Sequence, residues 1–102
     1  MVLNFQKDIS LRTYNTFGID VKSKKFIGIQ STDVLKAVLA ENQGAQVLLL
    51  GGGSNLLLTK DFDGLTIRIE NRGIEILKED EYGARIKVAA GENWHDFVLW
   101  CL

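Results

Sequence analysis

Leu48-Leu49-Leu50-Gly51-Gly52-Gly53-Ser54-Asn55-Leu56-Leu57-Leu58 sets three glycines and two small polar residues between two apolar runs. Glycine inside a strand packs nothing and loses much backbone entropy, so three together mark a sharp bend or a close approach of backbone to a ligand. Successive peptide N–H groups in such a bend form a concave nest for an anion, and Ser54 and Asn55 add side-chain donors. A phosphate or pyrophosphate matches that donor set. Taken alone, the triple glycine is equally satisfied by a plain turn between two buried strands.

Upstream, Gln46 to Leu50 has the length and near-continuous apolar character of a central strand covered on both faces. Ser31-Thr32-Asp33 offers caps for a helix whose stripe is Val34, Leu35, Val38 and Leu39 and which Gly44 ends. Lys25 to Ile29 is a short strand before it, so this stretch reads as a βαβ unit with parallel strands. The first two dozen residues spread Leu11, Tyr14, Phe17 and Ile19 around the turn signal Asn15-Thr16-Phe17-Gly18 and read as an irregular arm.

Downstream, Asp63-Gly64 introduces Leu65, Ile67 and Ile69 alternating with Thr66, Arg68 and Glu70, the period of a half-buried strand. After the turn Asn71-Arg72-Gly73, Ile74 to Leu77 and Ala84 to Ala90 form a hairpin about the acidic turn Glu79 to Gly83. The fold class is therefore α+β, in the order β-α-β-β-β-β. Asn93 then caps a last helix with Trp94, Phe97, Val98 and Cys101 as its core stripe. That helix is apolar almost all round and lacks a stop signal before Leu102, so the chain is expected to be the first part of something longer.

At 102 residues, 46% apolar and 25% charged, the chain is at most one domain with a modest core. A net charge of −1 with scattered basic residues offers no footprint for nucleic acid, so an anionic ligand needs a local site. One cysteine excludes an internal disulfide, and the start Met-Val-Leu-Asn-Phe-Gln-Lys-Asp is unlike a signal peptide. No apolar run approaches the roughly 20 residues that span a bilayer, so a cytoplasmic protein without membrane contact is expected. There is no proline, repeat or low-complexity tract to mark a linker.

The glycine loop is neither of the two familiar nucleotide loops. A Rossmann fingerprint needs Gly-x-Gly-x-x-Gly leading into a helix, whereas Leu56-Leu57-Leu58-Thr59 carries no helical stripe. A Walker loop needs Gly-Lys-Ser or Gly-Lys-Thr, and Lys60 comes too late. The anion would be held by backbone amides without a helix N-terminus.

Tyr14-Asn15-Thr16-Phe17-Gly18-Ile19-Asp20, Leu50-Gly51-Gly52-Gly53-Ser54-Asn55-Leu56 and Ala90-Gly91-Glu92-Asn93-Trp94-His95 resemble, in order and separation, the N-terminal part of the UDP-N-acetylenolpyruvoylglucosamine reductase (MurB) family. The resemblance spans essentially the whole chain. Gly91-Glu92-Asn93-Trp94-His95 resembles in particular the subtype of that family most familiar from enteric bacteria, in which the loop commonly reads Gly-Glu-Gly-Ser-Asn; Gly52 replaces the glutamate, which matters little if backbone amides make the contacts. The resemblance implies that residues 1–102 are the N-terminal lobe of an FAD-binding domain of the vanillyl-alcohol oxidase and p-cresol methylhydroxylase (PCMH) type. It implies noncovalent FAD, with its pyrophosphate on Gly51, Gly52, Gly53, Ser54 and Asn55 and with Asn15 to Gly18 near the flavin. It further implies NADPH as reductant and UDP-N-acetylglucosamine enolpyruvate as substrate, reduced to UDP-N-acetylmuramate for peptidoglycan synthesis. The family's catalytic serine, glutamate and arginine belong to later segments, and no residue here corresponds to them. The chain alone is therefore expected to be catalytically silent, with the second FAD lobe and the substrate domain beyond it.

Two other functions compete with this one: an FAD-dependent oxidase of the same fold with another substrate, and a protein-binding module in which Gly51 to Asn55 is only a turn. The remaining chemistry-bearing residues read as structural. His95, the single histidine, reads as a domain-contact or capping residue rather than a flavin tether, and one His with one Cys does not make a metal site. Cys101 reads as a buried thiol and Trp94 as core, while Asp61 and Asp63 shape the turn around Phe62. Gly53→Val is expected to abolish FAD binding in the full-length protein with little loss of fold, so that it melts like the FAD-free wild type. A β-branched side chain there blocks both the backbone approach and any positive φ; flavin absorbance of the purified variant, beside its thermal melt, checks this.

Overall fold

The computed structural model describes residues 3–15, 17–51 and 58–102. Among them the elements run β1 (Gln6–Ser10), a 3-10 turn (Arg12–Tyr14), β2 (Lys22–Ile29), α1 (Thr32–Glu41), β3 (Val47–Leu50), β4 (Phe62–Ile69), β5 (Ile74–Asp80), β6 (Gly83–Val88) and α2 (Trp94–Cys101). The α+β class is borne out. β1 to β4 make a mixed sheet in the order β1-β2-β4-β3, and β5 and β6 make a separate hairpin. β2 and β3 are both parallel to β4, which lies between them, while β1 runs antiparallel to β2.

β4 is the centre because its sequence suits burial on both sides. Leu65 and Ile67 face the layer closed by Val38 of α1, together with Ile27 and Ile29 of β2. Thr66, on the opposite face, is also fully buried, although strict alternation predicts a solvent-facing position there. Its hydroxyl finds a partner in Ser23 Oγ at 2.7 Å, and Ser23 gives its own proton to the Lys25 carbonyl at 2.6 Å. Ser23 has a single proton to donate, so Thr66 is the donor to Ser23 and both buried hydroxyls are satisfied. A second apolar cluster, Leu11, Val21 and Phe26 with Ile9, Tyr14, Ile19 and Leu58 around it, covers the other face.

α1 is capped as expected, with Ser31 Oγ accepting from the Val34 amide at 3.3 Å. Of its predicted stripe, Val38 is buried and Val34 and Leu35 pack on the core, but Leu39 is exposed. Gly44 follows the helix at φ +83°, a left-handed conformation that suits glycine.

Several expectations are corrected. The N-terminal arm is not irregular: Gln6–Ser10 is a strand, undetectable by periodicity because only Ile9 in it turns inward. β3 is not central. It pairs with β4 alone among the described residues, and Val47 and Leu49 stand 38% and 56% exposed. Asp63-Gly64 is not a turn but the start of β4. A Cβ at Gly64 would fall 2.6 Å from the Gln46 carbonyl oxygen, which accepts the Leu65 amide, so glycine permits the close strand approach there.

The hairpin forms where expected, but its strands run Ile74–Asp80 and Gly83–Val88 around a turn tighter than Glu79 to Gly83, with Asp80 Oδ1 accepting the amides of Tyr82 and Gly83 at 2.9 and 3.1 Å. α2 begins at its predicted cap, Asn93 Oδ1 accepting the Asp96 amide at 3.0 Å. Its stripe is not core: Trp94 is 66% exposed, and Val98, Leu99, Trp100 and Cys101 are exposed too. Cys101 and Trp94 are thus corrected from buried to exposed, because within the described residues no layer lies against that helix. The radius of gyration is 15.8 Å, larger than the roughly 13 Å of a compact 100-residue domain.

Ile67→Ala is expected to destabilise the chain by about 2–5 kcal/mol through the cavity left in the central strand. Lys24→Ala, which breaks only an exposed 3.6 Å pair with Asp63, should cost under about 1 kcal/mol. Equilibrium denaturation of both variants checks the contrast.

Candidate nucleotide-binding site

Three parallel strands, β2, β4 and β3, deliver their carboxyl ends to one edge of the sheet. Gln30 follows β2, Gly51 follows β3, and Arg68, Ile69 and Glu70 close β4. With Arg72, Gly91 and Asn93 they line a cavity of about 410 Å³. Open sheets of parallel strands place ligands at this edge, because adjacent connections diverge there and leave a crevice.

The second wall of the cavity comes from where β6 leads into α2. A Cβ at Gly51 would sit 3.1 Å from the Ala90 carbonyl oxygen, and one at Gly91 would lie 2.7 Å from the backbone nitrogen of Asn71. Two glycines therefore allow two backbone crossings that any side chain would push apart. Glu92 pins the same corner by accepting the Gly73 amide at 2.7 Å and pairing with Arg72 at 3.7 Å.

The walls are polar. Arg68 Nη1 lies 3.3 Å from Glu70 Oε1, and Gln30 Nε2 lies 3.4 Å from Glu70 Oε2. The Glu70 amide is anchored on the Ile29 carbonyl at 2.8 Å, and a Cβ at Gly28 would collide with the Glu70 carboxylate, so Gly28 makes room for it. Asn71 Oδ1, beside Gly91, is buried without a hydrogen-bond partner among the described residues. Two guanidinium groups, two side-chain amides and glycine backbone suit an anionic, hydroxyl-rich ligand such as a dinucleotide.

Of the predicted site residues, Gly51 lies on the cavity wall, whereas Gly52, Gly53, Ser54 and Asn55 lie outside the described residues. Asn15 is buried and braces its own loop, its side chain donating to the carbonyls of Leu11 and Ile19 and accepting the Ile19 amide. Its neighbour Tyr14 reaches toward the site, since the Arg68 guanidinium stands 5.0 Å from the Tyr14 ring centre. Sequence reasoning did not select Gln30, Arg68, Arg72 or Gly91. The signal available was topological: each lies at the carboxyl end of a parallel strand or on a chain crossing it. His95 and Cys101 are exposed on α2 and do not line the cavity.

Comparison with known proteins defines the class first: residues 24–101 match the FAD binding domain family, and the chain belongs to that family. Among particular proteins, it is similar to the UDP-N-acetylenolpyruvoylglucosamine reductase of Flavobacterium johnsoniae, at 50% identity over 98% of this chain and 30% of the relative. The enzymes of the same name from Chromobacterium violaceum and Pseudomonas putida are 48% and 43% identical over the whole of this chain and 30% and 31% of their own lengths. The crystal structure of UDP-N-acetylenolpyruvylglucosamine reductase (MurB) from Thermus caldophilus shares the fold, with a TM-score of 0.54 at 21% identity over 72% of this chain and 28% of that one. The resemblance carried by the three sequence motifs is thus borne out. The chain spans about 30% of the length of the curated relatives it matches.

Gly91→Ala is expected to destabilise the protein by about 1–3 kcal/mol by forcing apart the backbones that cross there. Asn93→Ala should cost about 1 kcal/mol through loss of the helix cap. Thermal melts of the two variants, with the glycine change the larger, check this ordering.

Proposed function

We propose that residues 1–102 form the N-terminal lobe of the FAD-binding domain of an NADPH-dependent reductase. The complete enzyme converts UDP-N-acetylglucosamine enolpyruvate to UDP-N-acetylmuramate in cytoplasmic peptidoglycan synthesis. The observation that carries this reading is the convergence of three parallel strand ends on Gly51 and a polar cavity, in a chain alike along its whole length to reductases of that name. Among the described residues no helix is long and apolar enough to cross a membrane.

Bound FAD supplies hydride chemistry between NADPH and the enolpyruvyl carbon. This chain's share of the work is binding and orientation. Gly51 to Asn55 hold the linked phosphates through backbone amides and short polar side chains, an arrangement that neutralises charge without a helix N-terminus. Gln30 and Asn93 bring side-chain amides to the cavity wall, suited to the cofactor's hydroxyl groups. Gln30 and Gly51 directly follow β2 and β3, so the sheet edge positions them, and Asn93 is positioned as the cap of α2.

The full-length protein should purify yellow and oxidise NADPH only when UDP-N-acetylglucosamine enolpyruvate is present, whereas residues 1–102 alone should show no turnover. A colourless full-length protein that takes up no added FAD would overturn the reading. A flavin that NADPH fails to reduce would move it to an oxidase of the same fold.

A further inference from the structure

Arg68 and Arg72 are four residues apart, one near the end of β4 and one in the connection beyond it, and both line the cavity. Each is tied to a carboxylate at longer than ideal distance: Arg68 to Glu70 at 3.3 Å and Arg72 to Glu92 at 3.7 Å. Charge-assisted bonds of good geometry run at about 2.7–2.9 Å. These loose pairings leave guanidinium donors to spare, since each arginine carries five N–H groups in a fixed fork.

Arg68 is also held from behind. Its guanidinium lies 5.0 Å from the Tyr14 ring centre, and Tyr14 stacks on the buried Phe26 ring at 4.9 Å and 28°. A cation stacked on an aromatic shelf keeps its in-plane donors for another partner. Glu70 also lines a second cavity of about 390 Å³, with Tyr14, Phe26 and Gly28.

We propose that Arg68 and Arg72 form a two-guanidinium clamp for the linked phosphates of the bound nucleotide, with Glu70 as the anion that occupies Arg68 until the phosphate displaces it. The clamp rests on the reading of this cavity as an FAD site and adds residues outside the glycine loop. It makes a prediction of sign that a structural ion pair does not. If Arg68 served only to neutralise Glu70, removing the Glu70 charge would leave nucleotide binding unchanged or weaken it. In the clamp, Glu70 competes with the phosphate, so removing its charge strengthens binding.

The test uses the full-length protein and FAD itself, with dissociation constants from flavin fluorescence over a salt series and a thermal melt of each variant as a control on folding. Arg68→Gln and Arg72→Gln should each weaken FAD binding roughly tenfold or more, the worth of a hydrogen bond to a charged group. Both should flatten its salt dependence, and Arg68→Lys should restore part of the loss. Glu70→Gln should tighten binding several-fold. Unchanged affinity and salt dependence in the arginine variants, or unchanged or weaker binding in Glu70→Gln with an unshifted melt of the FAD-free protein, overturns the clamp while the FAD assignment stands. Absence of FAD binding by the wild-type protein overturns both.

Discussion

The parallel pairing of β4 between β2 and β3 is the constraint from which the rest follows. Parallel strands must be joined by crossovers, so their carboxyl ends meet at one edge and the connections leave that edge in different directions. Burying β4 on both faces requires apolar residues on one side and satisfied hydroxyls on the other, which Leu65 and Ile67 and the Thr66–Ser23 bond supply. With that strand fixed, Gln30, Gly51, Arg68 and Glu70 come together although up to 40 positions separate them in the chain.

Glycine sets the closeness of the approach at that edge. Gly64 lets β3 and β4 meet at one end of their ladder, and Gly51 and Gly91 let the chain after β6 cross the sheet edge within backbone contact distance. The crevice is therefore built from main-chain walls with a few long polar side chains reaching over them. Two guanidinium groups and two side-chain amides lie on its lining beside the glycine backbone. That agrees with a chain of the FAD binding domain family.

Legibility followed the range of the interaction involved. The caps Ser31 and Asn93, the hairpin turn at Asp80 and the helix stop at Gly44 all lie within a few residues of the elements they define, and each was readable. Alternation found β4 but mistook Asp63-Gly64 for a turn, since an Asp-Gly pair looks alike at a turn and at a strand start that needs close packing. β1 escaped because a mostly exposed edge strand has no apolar alternation to detect. Leu49, Trp94 and Cys101 were assigned to a core because they are apolar, yet apolarity states only that a side chain favours cover and not where cover lies. Arg68 and Arg72 carried no motif, as their meeting at the cavity depends on strand order.

By itself the sequence determined the α+β class, the helix caps, the presence of the hairpin and kinship with FAD-binding reductases, because these rest on local backbone chemistry and on motifs kept in order. Only the tertiary structure decided that β4 is central and β3 an edge, that β1 exists, and that two arginines, a glutamate and two distant glycines share one cavity. Strand order is set by which surfaces bury one another, and that choice compares residues far apart in the chain, beyond the reach of any local pattern.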